Sequence, residues 1–437
     1  MVGTHCAKIS LVRHAFVVRK TLRDSEAKFL DLARRLTHFA LRMTRRTSGD
    51  VFFMSVDNLT SVFESNQCKL PYFLKKYGRP ESDALEKYLG NSDFESLMKF
   101  AIDLRSEQNF IAASEVFGTA YIINRDSADA LMARLSCLAT ANLPADEQEI
   151  ETLKRLNENY HALFLAKRHH LANPGNSEII LQTLRNSFEG FHTGAEADWL
   201  FIEHAMKLHH SFSGVNSYLV SPIPRNLFMY WDTNPPSEIA ENVSYHKDLK
   251  YFNVLFFNKE SAGEFLASYY GFECRRMFFE LSHPSEESDF FRFHAINTFG
   301  GYYLDLDEQI ISVDHFKNSL SDASDSVFIV SRNPDGSMGP VHSAFFGSSA
   351  NNPIITNAIL NLYQNIHFFK DLSLWLKSGP GPITRAISRA YYNAYFNGIQ
   401  LPHFHVFPYT VFGSFIRALD VSYRGDLRDW RVHEASR

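Results

Sequence analysis

The hydrophobic pattern divides the chain into three regions, the first two helical in period and the third alternating between strand and helix. In the first fifty or so residues, Phe29, Leu32, Leu36, Phe39 and Met43 recur at helical spacing and make one apolar stripe. Arg34, Arg35, Arg42, Arg45 and Arg46 lie alongside or beyond it. Such a helix either faces a core with a solvated basic side or lies on an anionic membrane or partner. Residues 91–190 show no strand alternation and read as polar-faced helices. Leu97, Phe100, Ala101, Leu104, Ala113, Phe117 and Ala120 fit the small and large slots of one tetratricopeptide-like hairpin. A second copy about 34 residues on is poor, so at most one degenerate repeat is expected there. At Ser221-Pro222-Ile223-Pro224 the pattern turns to short apolar runs alternating with helices. Residues 226–231, 251–257, 302–304 and 327–330 read as strands, with helices over 262–270 and from Ser285 onward. The expected organisation is a basic helical region at 1–90, a helical domain at 91–220 and an α/β domain at 221–437. Its alternation predicts a mainly parallel central sheet, with ligands beyond the carboxyl ends of the strands, where Trp231, Asp305 and Asp307 fall.

The α/β part is organised around residues 288–307, SDFFRFHAINTFGGYYLDLD. Ser285, Glu286 and Glu287 predict a helix start with an acidic first turn, and Gly300-Gly301 predict its glycine stop. Asp289 and Arg292 stand three apart and share a helix face. Tyr302-Tyr303-Leu304 reads as a buried strand, after which Asp305 and Asp307 are expected on one side of an extended segment. Two hard oxygen ligands so placed suit Mg²⁺ or Mn²⁺ together with substrate phosphates. The same pair alone could equally be a solvated strand end.

Composition narrows the classes. The chain has 437 residues, 45% of them hydrophobic, enough for two or three domains with sizeable cores. A net charge of −5 argues against a general nucleic-acid binder. No apolar run is long enough to span a bilayer, and Arg13, His14, Arg19 and Lys20 interrupt any secretory apolar core. Cys6, Cys68, Cys137 and Cys274 are scattered without a C-x-x-C pair, which fits a reducing, cytoplasmic setting and neither a disulfide framework nor a zinc site.

Asp289, Arg292, Gly300-Gly301, Tyr303 and Asp305/Asp307, in that order, resemble the sugar-binding region of the DXD glycosyltransferases, S-D-x-x-R…G-G-x-Y-x-D-x-D. That family includes initiating α-mannosyltransferases, α-galactosyl- and α-N-acetylglucosaminyltransferases and, more distantly, the catalytic domains of clostridial glucosylating toxins. Ile223-Pro224-Arg225 and Trp231 resemble its opening strand, with Met229 where histidine is common. Gly379, Pro380, Gly381, Thr384 and Arg385 match its T-G-P-G-x-x-T-R-A segment, whose prolines leave too few amides for a phosphate cradle. Ser343 stands where an asparagine is common, and His433, Ala435 and Ser436 resemble the late H-H-W-A-x-S-W ending, with Arg437 in place of its closing tryptophan. His403 and His405 alternate in an aromatic strand and serve packing or, less plainly, a metal.

The resemblance implies a GT-A-like domain over about 222–437 that uses Mn²⁺ or Mg²⁺ and a UDP- or GDP-hexose. It implies Asp307, Asp305 and His433 at the metal, and Trp231, Tyr303, Asp289, Arg292 and Asp305 at the donor. Asp305, Asp307, Asp289 and Arg292 then form the catalytic group of a retaining transferase acting on a glycan or lipid-linked saccharide, with polysaccharide biosynthesis as the setting. Two other readings stay open: an effector-type transferase that modifies a protein, and a non-catalytic sugar-nucleotide-binding protein. Nucleic acid is not an expected partner, whereas peripheral contact with the inner face of a membrane through the basic helix is.

Overall fold

A computed structural model describes residues 93–190, 194–212, 222–320, 325–332, 338–426 and 429–435. The basic stripe at 29–43 lies outside the described residues. The chain divides into two compact units, Met1–Cys137 and Leu138–Arg437. In the first, helices α1 (Phe94–Ser106) and α2 (Phe110–Ile123) form a hairpin followed by the start of α3 (Ala128–Thr140). Asp93 and Asn109 cap the first two helices by accepting from the Ser96 and Ala112 amides. Ala101, Ala113, Phe117 and Cys137 make the core of this unit, the alanines letting the helices approach.

The second unit begins with helices α4 (Glu147–Leu156), α5 (Glu158–Ala172), α6 (Ser177–Arg185) and α7 (Glu196–Phe212). There follow β1 (Asn226–Tyr230), α8 (Ser237–Asp248), β2 (Asn253–Phe257), α9 (Lys259–Tyr270), α10 (Phe272–Phe279) and α11 (Pro284–Phe299). Next come β3 (Gly301–Leu304), β4 (Glu308–Ile310), α12 (Val313–Ser319), β5 (Ser326–Arg332) and β6 (Met338–Ser348). The chain then runs through α13 (Pro353–Phe368), α14 (Leu374–Lys377), α15 (Pro380–Asn397), β7 (His405–Pro408), α16 (Tyr409–Phe415), β8 (Ile416–Ala418) and α17 (Trp430–Ala435).

The six-stranded sheet has the order β2-β1-β3-β6-β5-β7. β1 pairs parallel with β2 and β3, and β5 pairs parallel with β7; β6 alone runs antiparallel, to both β3 and β5. The molecule is therefore the α/β protein with a mainly parallel sheet that the sequence pattern predicts, and the described residues before it, 93–212, are helical. Both faces of the sheet are covered. Leu227, Met229, Tyr302, Leu304, Ile329 and Phe345 face one core, packed with Ile239 and Val243 of α8 and Phe316 of α12. Their neighbours Phe228, Tyr230, Tyr303 and Phe346 point the other way, toward Phe291 and Phe293 of α11.

Helix α11 starts with Pro284 at its first position, capped by the His283 ring, which accepts from the Ser285 amide. The cap is thus two residues earlier than Ser285, because the proline fixes the helix start. Gly300 ends the helix with φ 64° and ψ 167°, an extended rather than a left-handed helical stop, and Gly301 has φ 130°. A Cβ on Gly300 would meet the Ala350 amide at 2.7 Å, and one on Gly301 the Asn226 carbonyl oxygen at 2.6 Å. The double glycine is what lets a helix turn directly into a buried strand here.

The Gly379–Arg385 segment begins α15, with Pro380 at N1. Thr384 Oγ1 donates to Pro380 O and accepts from the Val341 amide at 2.9 Å, tying the helix start to β6. Arg385 is 1% exposed; it donates to Asp198 Oδ1 of α7 at 2.8 Å and to Phe188 O at 2.9 Å, with its guanidinium 4.1 Å from the Phe188 ring centre. Asp198 is fully buried. Removing one member of such a pair leaves the other charge stranded, so Arg385→Met should lower stability by about 3–5 kcal/mol. Urea unfolding of Arg385→Met and of Arg385→Met/Asp198→Leu checks this: the double variant should recover most of the loss, because no buried charge is left unpaired.

Candidate active site

The site starts from the face of α11 that carries Asp289 and Arg292. Both are buried, at 7% and 3% exposure. Arg292 Nη2 lies 3.0 Å from Asp289 Oδ1, 3.0 Å from Asp305 Oδ1 and 2.9 Å from Ser288 Oγ. Its Nη1 donates to the Ser343 carbonyl of β6 at 2.5 Å, and its guanidinium stands 4.4 Å from the Tyr303 ring centre. Ser288 Oγ and Tyr303 OH are 2.6 Å apart, and Tyr303 OH donates to Asp305 Oδ1 at 3.0 Å. Asp305 therefore receives one hydrogen bond directly from Arg292 and another at the end of the Arg292–Ser288–Tyr303 chain. Ser378 donates to Asp289 Oδ2 at 2.8 Å, so both oxygens of that carboxylate are engaged.

Electrostatics follow from this packing. Burial works to lower the Arg292 pKa, but Asp305, Tyr303 and Asp289 outweigh it and hold the guanidinium charged. Burial pushes the Asp289 carboxyl up despite Arg292. It pushes Asp305 up to about 7, with Arg292 opposing and Asp307 adding to the rise. Carboxylates crowded in this way need positive charge to remain ionised together.

The aspartates do not lie on the strand. β3 stops at Leu304, and Asp305–Leu306–Asp307 form a turn closed by the Glu308 amide donating to Asp305 O at 3.1 Å. The extended spacing fails because three consecutive carbonyls and the Asp305 amide are claimed by other elements. Asn242 of α8, 2% exposed, donates through Nδ2 to Leu306 O at 3.0 Å and Glu308 O at 2.8 Å. The Leu419 amide donates to Asp307 O at 2.7 Å, and the Asp305 amide donates to Ala344 O at 2.8 Å. Within this rigid turn Asp305 faces the Arg292 network and Asp307 is left open: its side chain is 33% exposed, with Arg424 Nη2 at 3.6 Å.

Trp231 follows the end of β1, half-buried, with its ring 5.2 Å from that of Tyr423 in an edge-to-face contact. The 421–426 segment is fastened by Ser422, which donates through its amide and hydroxyl to Glu238 Oε1 at 3.0 and 2.6 Å. Next to the first residue of β1, Arg225 instead covers Tyr251. His433 sits in α17, and its side chain lies outside the described residues. His403 and His405 pack their rings edge to face at 5.6 Å. Ser343 enters the site through its carbonyl, not its side chain.

The structure thus brings Asp289, Arg292, Tyr303 and Asp305 into one bonded network, with Asp307 on the same turn and Trp231 across from Tyr423. Sequence reasoning missed Asn242, Ser288, Ser378, Tyr423, Arg424 and Glu308. Glu308 adds a third carboxyl to the turn; its Oε2 is buried without a hydrogen-bond partner among the described residues, and burial, then Asp307, push its pKa up to about 8. Ser288 and Glu308 adjoin motif residues and were open to notice. Ser378 stands at the threonine position of the T-G-P-G match, whereas Asn242, Tyr423 and Arg424 carry no local signal, since they arrive from elements far along the chain.

Residues 235–326 match the family model described as "Glycosyltransferase sugar-binding region containing DXD motif". The match runs from before α8 into β5 and includes Asp289, Arg292, Tyr303, Asp305 and Asp307. Among solved structures, the chain is similar to "PaToxG Glycosyltransferase" at 15% identity and a TM-score of 0.33, over 54% of this chain and 95% of that one. No curated protein matches the chain. The segment built around Asp305 and Asp307 thus matches a DXD-containing glycosyltransferase sugar-binding region.

Proposed function

We propose that the protein transfers a hexose from a UDP- or GDP-sugar to a glycan or lipid-linked saccharide, with retention of anomeric configuration and dependence on a divalent cation. The observation that carries this reading is the division of labour between the two aspartates. Asp305 is fixed by Arg292 and Tyr303, whereas Asp307 is rigidly placed by its backbone yet open at its carboxylate.

The two carboxylates of the turn fit a hard cation, with the Asp307 side chain 33% exposed. Asp307 would hold Mn²⁺ or Mg²⁺, with Asp305 beside it and His433 as a third candidate. When bound, the ion supplies positive charge where the diphosphate leaving group becomes more negative. Arg424, 44% exposed in its side chain and adjacent to Asp307, supplies a further cation at the same edge. Asp289 and Arg292 position the donor sugar, with Asp305 and Tyr303 completing that wall. Trp231, braced by Tyr423, offers an aromatic face for the nucleotide base. Retention rests on the family resemblance.

Nucleotide release from a panel of UDP- and GDP-sugars, with Mn²⁺, Mg²⁺ or chelator, tests the reading. Wild type should hydrolyse one donor slowly and only with metal. Asp307→Asn should lower that rate by about 10²–10³-fold, equivalent to about 2.7–4 kcal/mol, with an unchanged unfolding midpoint because Asp307 makes one long ion pair. If no donor is turned over and none binds with metal, the catalytic reading is wrong. Sugar recovered on protein alone would move the acceptor assignment.

A second expectation concerns Asn242, which touches no donor. Asn242→Leu orphans two carbonyls of the aspartate turn, at about 1–3 kcal/mol each. A loosened turn should also reduce donor hydrolysis, by as much as 10²-fold for a displacement of about 1 Å. Stability and rate measured on the same preparation decide it; an unchanged rate in a folded variant would show that the clamp does not position the carboxylates.

A further inference from the structure

Away from the aspartate turn, the helices of the second unit gather a different kind of polar cluster. His170 lies near the end of α5, and Glu203 and His204 are consecutive residues of α7. His170 Nδ1 and His204 Nε2 are 2.9 Å apart, and a Glu203 carboxylate oxygen lies within 4.8 Å of both nitrogens. The two rings meet edge to face, with centres 5.1 Å apart at 80°. His204 is fully buried, while His170 and Glu203 are half-buried, so the cluster has one closed side and one open side.

From this geometry we propose that His170, His204 and Glu203 form a second cation site, for a d-block divalent ion of the Zn²⁺ class, with one coordination position left to solvent. The site is separate from Asp305 and Asp307 and differs from it in chemistry. Two imidazoles and one carboxylate select borderline ions such as Zn²⁺, whereas an all-carboxylate site suits Mg²⁺ or Mn²⁺.

Three observations support it. First, the second nitrogen of His204, Nδ1, is 3.0 Å from Ser177 Oγ, a buried hydroxyl on α6. That contact fixes the ring and leaves Nε2 as the atom directed at His170, the arrangement that orients metal-bound histidines. Second, one ligand atom from each of the three residues lies within 4.8 Å of the other two, close enough to share one ion. Third, nothing bulky must move. Metal–nitrogen bonds of about 2.0–2.1 Å at tetrahedral angles set ligand atoms roughly 3.3 Å apart, so the two nitrogens need to part by only a few tenths of an ångström. Lys207 Nζ now donates to Glu203 Oε1 at 2.8 Å, but its side chain is 41% exposed and can turn to solvent. Glu203 Oε2 also accepts from the Met338 amide at 3.0 Å. A bound ion would therefore fasten α5 and α7 to the first residue of β6, the strand whose Ser343 carbonyl binds Arg292.

The test uses the full chain, stripped with chelator and dialysed against Zn²⁺ or Co²⁺. Wild type should retain one equivalent of Zn²⁺, give the visible absorption of four-coordinate Co²⁺ and unfold at a higher temperature with Zn²⁺. Asp305→Asn/Asp307→Asn should keep all three properties. His170→Gln and Glu203→Gln, both at half-exposed positions that tolerate a polar replacement, should lose them, and Ser177→Ala should bind about 10–100-fold more weakly. If one of the two glutamine variants fails to fold, the other still decides. No bound Zn²⁺ in wild type, or equal binding in a folded His170→Gln or Glu203→Gln variant, overturns the proposal and leaves a hydrogen-bonded histidine pair.

Discussion

The site rests on one buried guanidinium. Arg292 reaches from α11 to Asp305 beyond β3 and to the Ser343 carbonyl of β6, while remaining bonded to Asp289 and Ser288 of its own helix. A planar fork can serve acceptors in several directions at fixed angles; an ammonium at the same place could not. Because the group is almost wholly removed from water, each acceptor is needed to keep it there. The helix, the strand and the aspartate turn are therefore held in register by a charge that none of them could bury alone.

The surrounding charges share this logic. Glu286 and Glu287, in the first turn of α11, are buried and meet Lys377 and Lys259, and Tyr230 donates to Glu287 Oε2 at 2.7 Å. The helix N-terminus favours these carboxylates, and their lysines come from α14 and α9, so three helices are joined around the donor wall. Asp305 is held from this side by Arg292 and Tyr303, and the turn that carries it and Asp307 is held by α8 and by Leu419 of the late chain.

The helical part carries a second polar arrangement whose partners do not overlap with the first. His170, His204, Glu203 and Ser177 lie on α5, α7 and α6, and Glu203 accepts a hydrogen bond from the Met338 amide of the sheet. The GPG segment belongs with this side of the molecule. Its arginine, Arg385, binds Asp198 and the Phe188 carbonyl rather than the aspartate turn.

Much of this was legible in the sequence. The switch from helical to alternating pattern after Pro222 located the sheet, because side-chain period depends on local backbone geometry alone. Asp289 and Arg292 were placed together by helix spacing, and Gly300-Gly301 announced the sharp exit that leads into Tyr303 and Asp305. What the sequence could not determine depends on distant elements. The extended reading of Asp305 and Asp307 gave way to a turn because Asn242 and Leu419 bind its carbonyls, and neither residue is near it in the chain. Arg424 and Tyr423 joined the site for the same reason. The pairing of His170 with His204 arises only when α5 and α7 pack. Local spacing determined which residues share a face; tertiary packing decided which faces meet, since burial and hydrogen-bond satisfaction are properties of the assembled chain.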